Sequence, residues 1–297
     1  GRYEVKDGPF SDCGLNSPTW LSIDPKNPNH IYMIEDKSSI RLIDMEVQEL
    51  TTVATVVQLN IQDPRSLCWS LTGDTLFVSN YSNGDSPIVV TMLLRSEGFK
   101  KAHSLFSGYK WVISATIHPQ TGDIYFAQES DATIKRYNMA TKEVETMFSV
   151  GGNWIWMYVY FHPSGDFAYL MRPREGTIFK CQFNKTTNWL ELPSIYVGNW
   201  NQGYNECVGT NVRMVVMWQG TFVKNEKYIE QHKDDIYDFY VADGELYDNH
   251  PGDLIWKVTP NAEAIRYAGR GSVAMDNSHF GYVDGDRSDL PYQISRV

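Results

Sequence analysis

Short apolar runs separated by polar turn residues set the rhythm of this chain. The first group reads Ser17-Pro18-Thr19-Trp20-Leu21-Ser22-Ile23-Asp24-Pro25, then His30-Ile31-Tyr32-Met33-Ile34-Glu35-Asp36, then Ser39-Ile40-Arg41-Leu42-Ile43-Asp44. Runs this short, rich in β-branched and aromatic residues and bounded by turn formers, predict strands and tight turns rather than long amphipathic helices. The pattern returns as Ser66-Leu67-Cys68-Trp69-Ser70, Thr75-Leu76-Phe77-Val78-Ser79 and Ile88-Val89-Val90-Thr91-Met92. It returns again around Ser114–Pro119, Asp123–Ala127 and Thr133–Tyr137, and a fourth time around Tyr158–Pro163, Asp166–Leu170 and Thr177–Cys181. Weaker fourth runs follow, such as Glu49–Val53 and Glu143–Met147.

Aligned on the second run, Tyr32, Phe77, Tyr125 and Tyr169 stand 45, 48 and 44 residues apart. Four strands per period of about 45 residues is the mark of a β-propeller blade. The predicted fold is therefore all-β, one propeller domain over 1–297, with blades at about 17–58, 59–106, 107–150 and 151–197. A stretched fifth copy occupies 198–262, where an insertion over 198–235 hides the first strand while Asp238–Asp243 and Leu254–Val258 stay clear. The end of the chain, with Tyr282-Val283-Asp284-Gly285-Asp286 and Leu290-Pro291-Tyr292-Gln293-Ile294, reads like its beginning, so 263–297 is expected to open a partial sixth blade of a six-bladed parent.

Composition changes the picture in two ways. The formal charge is −10, from 26 Lys+Arg against 36 Asp+Glu, with no basic face of the kind a nucleic-acid partner requires. Nine Trp, 18 Tyr and 13 Phe are more aromatic surface than a core alone demands, and raise the question of which rings face outward. Cys13, Cys68, Cys181 and Cys207 are scattered without a C-x-x-C pair and read as free thiols. No apolar stretch approaches the roughly 20 residues of a transmembrane helix, and no export leader is legible at Gly1-Arg2-Tyr3.

The repeating unit resembles the NHL repeat: Tyr240-Val241-Ala242-Asp243 matches its second-strand signature and Ile40-Arg41-Leu42-Ile43 its third. The combination of Gly8-Pro9-Phe10, Pro18-Thr19-Trp20-Leu21, Tyr237-Asp238-Phe239-Tyr240 and Ala268-Gly269-Arg270-Gly271 is similar to the NHL propellers of Bacteroidetes surface proteins, in which an IPT/TIG domain commonly precedes the propeller. That resemblance implies an extracellular or outer-membrane location, partners in a surface complex and a setting in polysaccharide utilisation. It implies no shared activity.

In a blade, the loop leading into the first strand and the loop between the second and third strands open on the same side. The lead-in loops hold Trp111, Trp154, Trp200, Asn201 and Tyr204; the others hold Arg172, Arg174, Asp243 and His250. Sugars offer an apolar C–H face and a rim of hydroxyls, which flat rings and fork-like polar groups recognise together. Trp111, Trp154, Trp200 and Tyr204 are thus candidate stacking platforms, with Asn201, Arg172, Arg174, Asp243 and His250 around them. The alternative for these rings is packing between blades, and Trp20, Trp69 and Trp256, inside strands, are expected in the core. His118 and His162, each before a proline where the first unit has Asp24, are expected to cap turns on the opposite side.

The leading functional reading is a non-catalytic glycan-binding propeller without a cofactor. A second is a hydrolase or lyase that holds a divalent cation, calcium by resemblance to other six-bladed propellers, on Glu35, Glu129 and Asp243. A third is a protein-binding scaffold. Carboxylates on the loop side favour a neutral glycan over an anionic one.

Overall fold

The computed structural model describes residues 5–81, 89–150, 157–173, 176–198, 207–208, 217–224, 237–243 and 255–268. Five small antiparallel sheets make up a β-propeller, as the repeat predicts. The chain divides into two compact units, one up to Phe161 and one from His162.

In the first unit, sheet one runs Pro18–Asp24, Asn27–Glu35, Ser39–Asp44 and Glu49–Thr55, with Gly8–Pro9 added outside Glu49 and Leu50. Sheet two is Pro64–Trp69, Thr75–Asn80, Val90–Leu94 and Ala102–Phe106; sheet three is Val112–Ile117, Ile124–Gln128, Thr133–Tyr137 and Val144–Ser149. The strand Tyr158–Phe161 completes the unit. The second strands Thr75–Asn80 and Ile124–Gln128 are almost wholly buried, as is the Tyr32–Glu35 half of Asn27–Glu35, which is why these runs carry Val, Ile, Phe and Tyr without strict alternation. Thr55 caps the single turn of helix Val56–Leu59 through a reciprocal bond with Gln58.

Two devices join successive sheets. The first is a serine hydroxyl at the third position of the first strand: Ser66 Oγ accepts from the Ala115 N–H at 2.9 Å, and Ser114 Oγ accepts from the Val159 N–H at 3.3 Å. Trp20, at the corresponding place in sheet one, donates its indole N–H to the Leu67 carbonyl at 3.0 Å. The second is an aromatic contact from each second strand onto the next first strand. Tyr32 meets Trp69 edge-on at 5.1 Å, Phe77 shares a buried cluster with Ile117, and Tyr125 meets Phe161 at 4.8 Å. Trp20, Trp69 and Trp256 are all buried, as expected of strand tryptophans.

On the turn side opposite the lead-in loops, Asp24 (1 % exposed) takes both arms of Arg95, at 2.9 and 2.7 Å. Burial pushes the Asp24 carboxyl up, but the Arg95 fork and the Lys26 N–H outweigh it and hold it below its ordinary value. His118 and His162 cap turns as predicted: His118 Nδ1 accepts from the Gln120 and Thr121 N–H groups, and His162 Nδ1 from that of Ser164.

In the second unit, Phe167–Arg172 pairs with Thr177–Asn184, whose other edge takes Ser194–Val197 and Trp189–Leu190. The fifth sheet supplies the strand that the sequence hides and moves one boundary. Its first strand, hidden in the sequence, is Met217–Lys224, inside the 198–235 insertion and paired with Tyr237–Asp243. Glu263–Ala268, expected to begin a sixth unit, is instead the strand beyond Ile255–Val258, with Cys207–Val208 outside it. Tyr169 stacks on Phe222 at 5.2 Å, repeating the aromatic contact of the first unit. Cys13, Cys68 and Cys181 are free thiols; Cys181 is buried.

Candidate ligand-binding face

Ser17, Asp63 and Trp111 each stand immediately before a first strand, and each has a left-handed backbone, with φ of 51°, 40° and 54°. Their carbonyls accept from the N–H groups just beyond the second strands: Asp36 at 3.1 Å, Tyr81 at 2.9 Å and Glu129 at 3.0 Å. This main-chain bond holds the lead-in loop beside the loop between second and third strands, so both open on one side of the sheet.

At that side the second and third sheets bring together a cluster of chemically useful groups. The Tyr81 and Trp111 rings stack at 6.4 Å with 21° between their planes, and both are half-buried. The Tyr81 hydroxyl donates to Glu129 Oε2 at 2.8 Å, and Glu129 is only 4 % exposed. The Arg65 guanidinium lies over the Tyr81 ring, 4.6 Å from its centre, and donates to Asp63 Oδ2 at 2.7 Å. Lys37 of sheet one faces Asp63 Oδ1 at 3.7 Å. Burial, then the hydrogen bond and charge of Glu129, push the Tyr81 hydroxyl up to about 12, so it is a donor throughout the neutral range. Tyr158, buried beneath, is likewise pushed up to about 12 by desolvation.

Trp111 and Glu129, singled out in the sequence for different roles, thus belong to one cluster, joined through Tyr81. The sequence places Tyr81 in a loop of this side without a role, and does not single out Arg65. The available signal was positional: Tyr81 follows its second strand as Asp36 and Glu129 follow theirs, and Arg65 precedes the clasp serine Ser66.

Other predicted residues are placed differently. Glu35, Asn80, Gln128 and Arg172 end successive second strands and are buried, so this place holds a polar side chain inside each sheet. Glu35 accepts from the Asn16 N–H at 2.6 Å through Oε1 and from Arg41 through Oε2, which commits both oxygens to the protein. That ion pair is fully buried and fits a calcium ligand poorly, because a cation would have to displace Arg41. Arg172 packs with its guanidinium 6.0 Å from the Phe179 ring centre. Asp243 ends the strand Tyr237–Asp243, opposite Met217. Among the described residues no group of three or more His, Cys, Asp or Glu is gathered as cation ligands would be. Trp154, Arg174, Trp200, Asn201, Tyr204 and His250 lie outside the described residues.

No protein-family profile matches the chain, and no curated protein matches it. Solved structures do. An auxiliary nutrient binding protein of Bacteroides thetaiotaomicron is 33 % identical over 99 % of this chain, with a TM-score of 0.84. One of the same description from Bacteroides ovatus is 28 % identical over 95 %, with a TM-score of 0.82. A further B. thetaiotaomicron protein, provisionally described as a phosphatase, is 24 % identical over 91 % with a TM-score of 0.80, and at that identity shows the fold alone. The chain spans 65 %, 64 % and 64 % of the length of these three. It is similar, over nearly all its residues, to proteins of Bacteroides, two of them described as auxiliary nutrient binding proteins.

Proposed function

We propose that this chain is a nutrient-binding propeller whose ligand is a neutral oligo- or polysaccharide, held on the loop side of its second and third sheets. The observation that carries the reading is the stacked Tyr81–Trp111 pair, fixed from below by the buried Glu129 and flanked by Arg65 and Lys37. An aromatic platform beside N–H, O–H and carboxylate groups offers what a pyranose requires: a flat apolar surface for its C–H face and partners of both kinds for its hydroxyls. The likeness to Bacteroides nutrient-binding proteins supports it, and with it the expectation of a cell-surface setting in glycan utilisation.

The test is Trp111→Ala in affinity gels and titration calorimetry against neutral and acidic polysaccharides. Removing one stacking ring costs about 1–2 kcal/mol of binding, or roughly a 5- to 30-fold weaker Kd. Unchanged retention of the variant on every glycan that the parent binds removes this face as the site.

A further inference from the structure

Three sheets carry a cation on the third strand, opposite the second-strand tyrosine, and one of them leaves it without an anion. In sheet three Arg136 stands opposite Tyr125, and in sheet five Lys257 stands opposite Tyr240. Each has an aspartate two residues before that tyrosine: Asp123 Oδ2 lies 4.0 Å from Arg136 Nε, and Asp238 Oδ2 lies 2.9 Å from Lys257 Nζ. Arg136 also donates to Glu145, its neighbour on the fourth strand. In the sheet that comes between them in the chain, Lys180 stands opposite Tyr169 and Ser194, so Ser194 takes the place of Glu145 and Phe167 that of the aspartate. Lys180 Nζ lies 4.1 Å from the Phe167 ring centre and 5.3 Å from that of Tyr196, and it has no hydrogen bond or ion pair among the described residues. Neighbouring polar groups have other partners: Asp166, beside Phe167, holds Lys185 at 2.5 Å, the Tyr196 hydroxyl donates to the Pro260 carbonyl at 2.7 Å, and His162 Nδ1 caps its turn. Ring faces attract an ammonium, but half-burial without a counter-ion penalises it and holds Lys180 below its ordinary value.

We propose that Lys180 is a covalent attachment site for small aldehydes, which its amine takes up as an imine beside the Phe167 and Tyr196 rings. The lone pair of the neutral amine attacks the aldehyde carbon and forms the C–N bond; the two amine protons leave with the carbonyl oxygen as water, and a C=N bond remains. Neither an oxidant nor a reductant is consumed. The imine need carry no charge, so the apolar surroundings that penalise the ammonium favour the adduct. Arg136 and Lys257, held by their aspartates, are kept as cations and are excluded from this chemistry. The inference concerns a different sheet from the Tyr81–Trp111 cluster and does not depend on the glycan reading.

The experiment treats the parent protein with glycolaldehyde and cyanoborohydride, stopped short of one adduct per molecule, and quantifies the alkylated lysine peptides by mass spectrometry at pH 7 and pH 10. Each unit of lowered pKa gives about tenfold more neutral amine at pH 7, partly offset by its weaker basicity, so Lys180 should react at least about 3-fold faster than the exposed Lys142. At pH 10 the exposed amine is largely neutral as well, and the ratio should fall towards one. A ratio of one or less at pH 7 overturns the proposal. So does a ratio that is the same at both pH values, because it reports access and not the state of the amine. Phe167→Asp restores the aspartate of sheets three and five and should slow Lys180 at pH 7 by at least about 3-fold. A folded Phe167→Asp variant in which Lys180 reacts as fast as in the parent also overturns the proposal, and the peptide map of the parent decides the question if that variant fails to fold.

Discussion

Changing Tyr81 to phenylalanine removes a single oxygen from the candidate site and leaves its rings in place. The Trp111 stack and the Arg65 contact both use the ring and survive, so the loss is confined to the 2.8 Å bond to Glu129. A hydrogen bond to a charged group contributes about 1.5–3 kcal/mol, and Glu129, at 4 % exposure, has little access to water as a replacement. A loss of about 2 kcal/mol is expected, which in a unit of this size lowers Tm by about 4–8 °C. Urea unfolding should show a lower midpoint with an unchanged slope. Glu129→Gln and the double variant complete a cycle whose coupling should be about 1–2 kcal/mol. Strict additivity would refute the bond and the preorganised platform together. The bond has a pH signature as well. The folded Tyr81 value of about 12 lies above the ordinary 10, so its stabilisation is complete below about pH 10 and is lost as pH rises through about 12. The tyrosinate absorbance difference between parent and Tyr81→Phe should therefore develop late in an alkaline titration.

Two further predictions concern the opposite turns. Arg95→Met leaves Asp24 buried without its fork and should cost about 3 kcal/mol at pH 7 by urea unfolding; because the Asp24 value is lowered, that stabilisation is present above pH 3.8 and fades as pH falls, so parent and variant should converge in acid. An equal loss at pH 7 and pH 3 would contradict it. Burial holds His162 below 6.5, so its contribution is present above that pH and is lost on acidification. His162→Asn keeps an acceptor for the Ser164 N–H and should flatten the dependence of unfolding free energy between pH 7 and pH 5; an unaltered slope would rule out His162 as its source.

Much of the fold is legible in the sequence because each sheet repeats the same local chemistry. Asp24, His118 and His162 mark the end of a first strand by capping the turn after it, and that chemistry needs only residues two or three apart. The first strand of sheet five was illegible for a reason in the packing. Where other first strands carry Leu67, Ala115 and Val159, this one has Gly220, and a Cβ there would come within 2.2 Å of the Phe239 ring. The Phe239 ring of the paired strand fills that space, so Met217–Lys224 lacks an apolar side chain at the place where the repeat has one. The site was half legible for a similar reason. Trp111 and Glu129 stand out as residue types in loops, but their meeting depends on Tyr81, which acquires its role only from inter-sheet geometry. Glu35 shows the converse: a carboxylate at a blade turn reads as a ligand until Arg41, six residues on, is seen to occupy it.

The left-handed residues before the first strands carry an evolutionary consequence. Serine, aspartate and tryptophan occupy that place in three sheets, yet the join each makes uses only its carbonyl oxygen. The backbone strain is on the order of 1–2 kcal/mol for a residue with a Cβ, and least for Asp63, whose short polar side chain suits the left-handed region. Because the join runs through the carbonyls, selection can alter what the loop side recognises at these positions while the main-chain join stays, at the cost only of side-chain contacts such as those of Asp63 with Arg65 and Lys37.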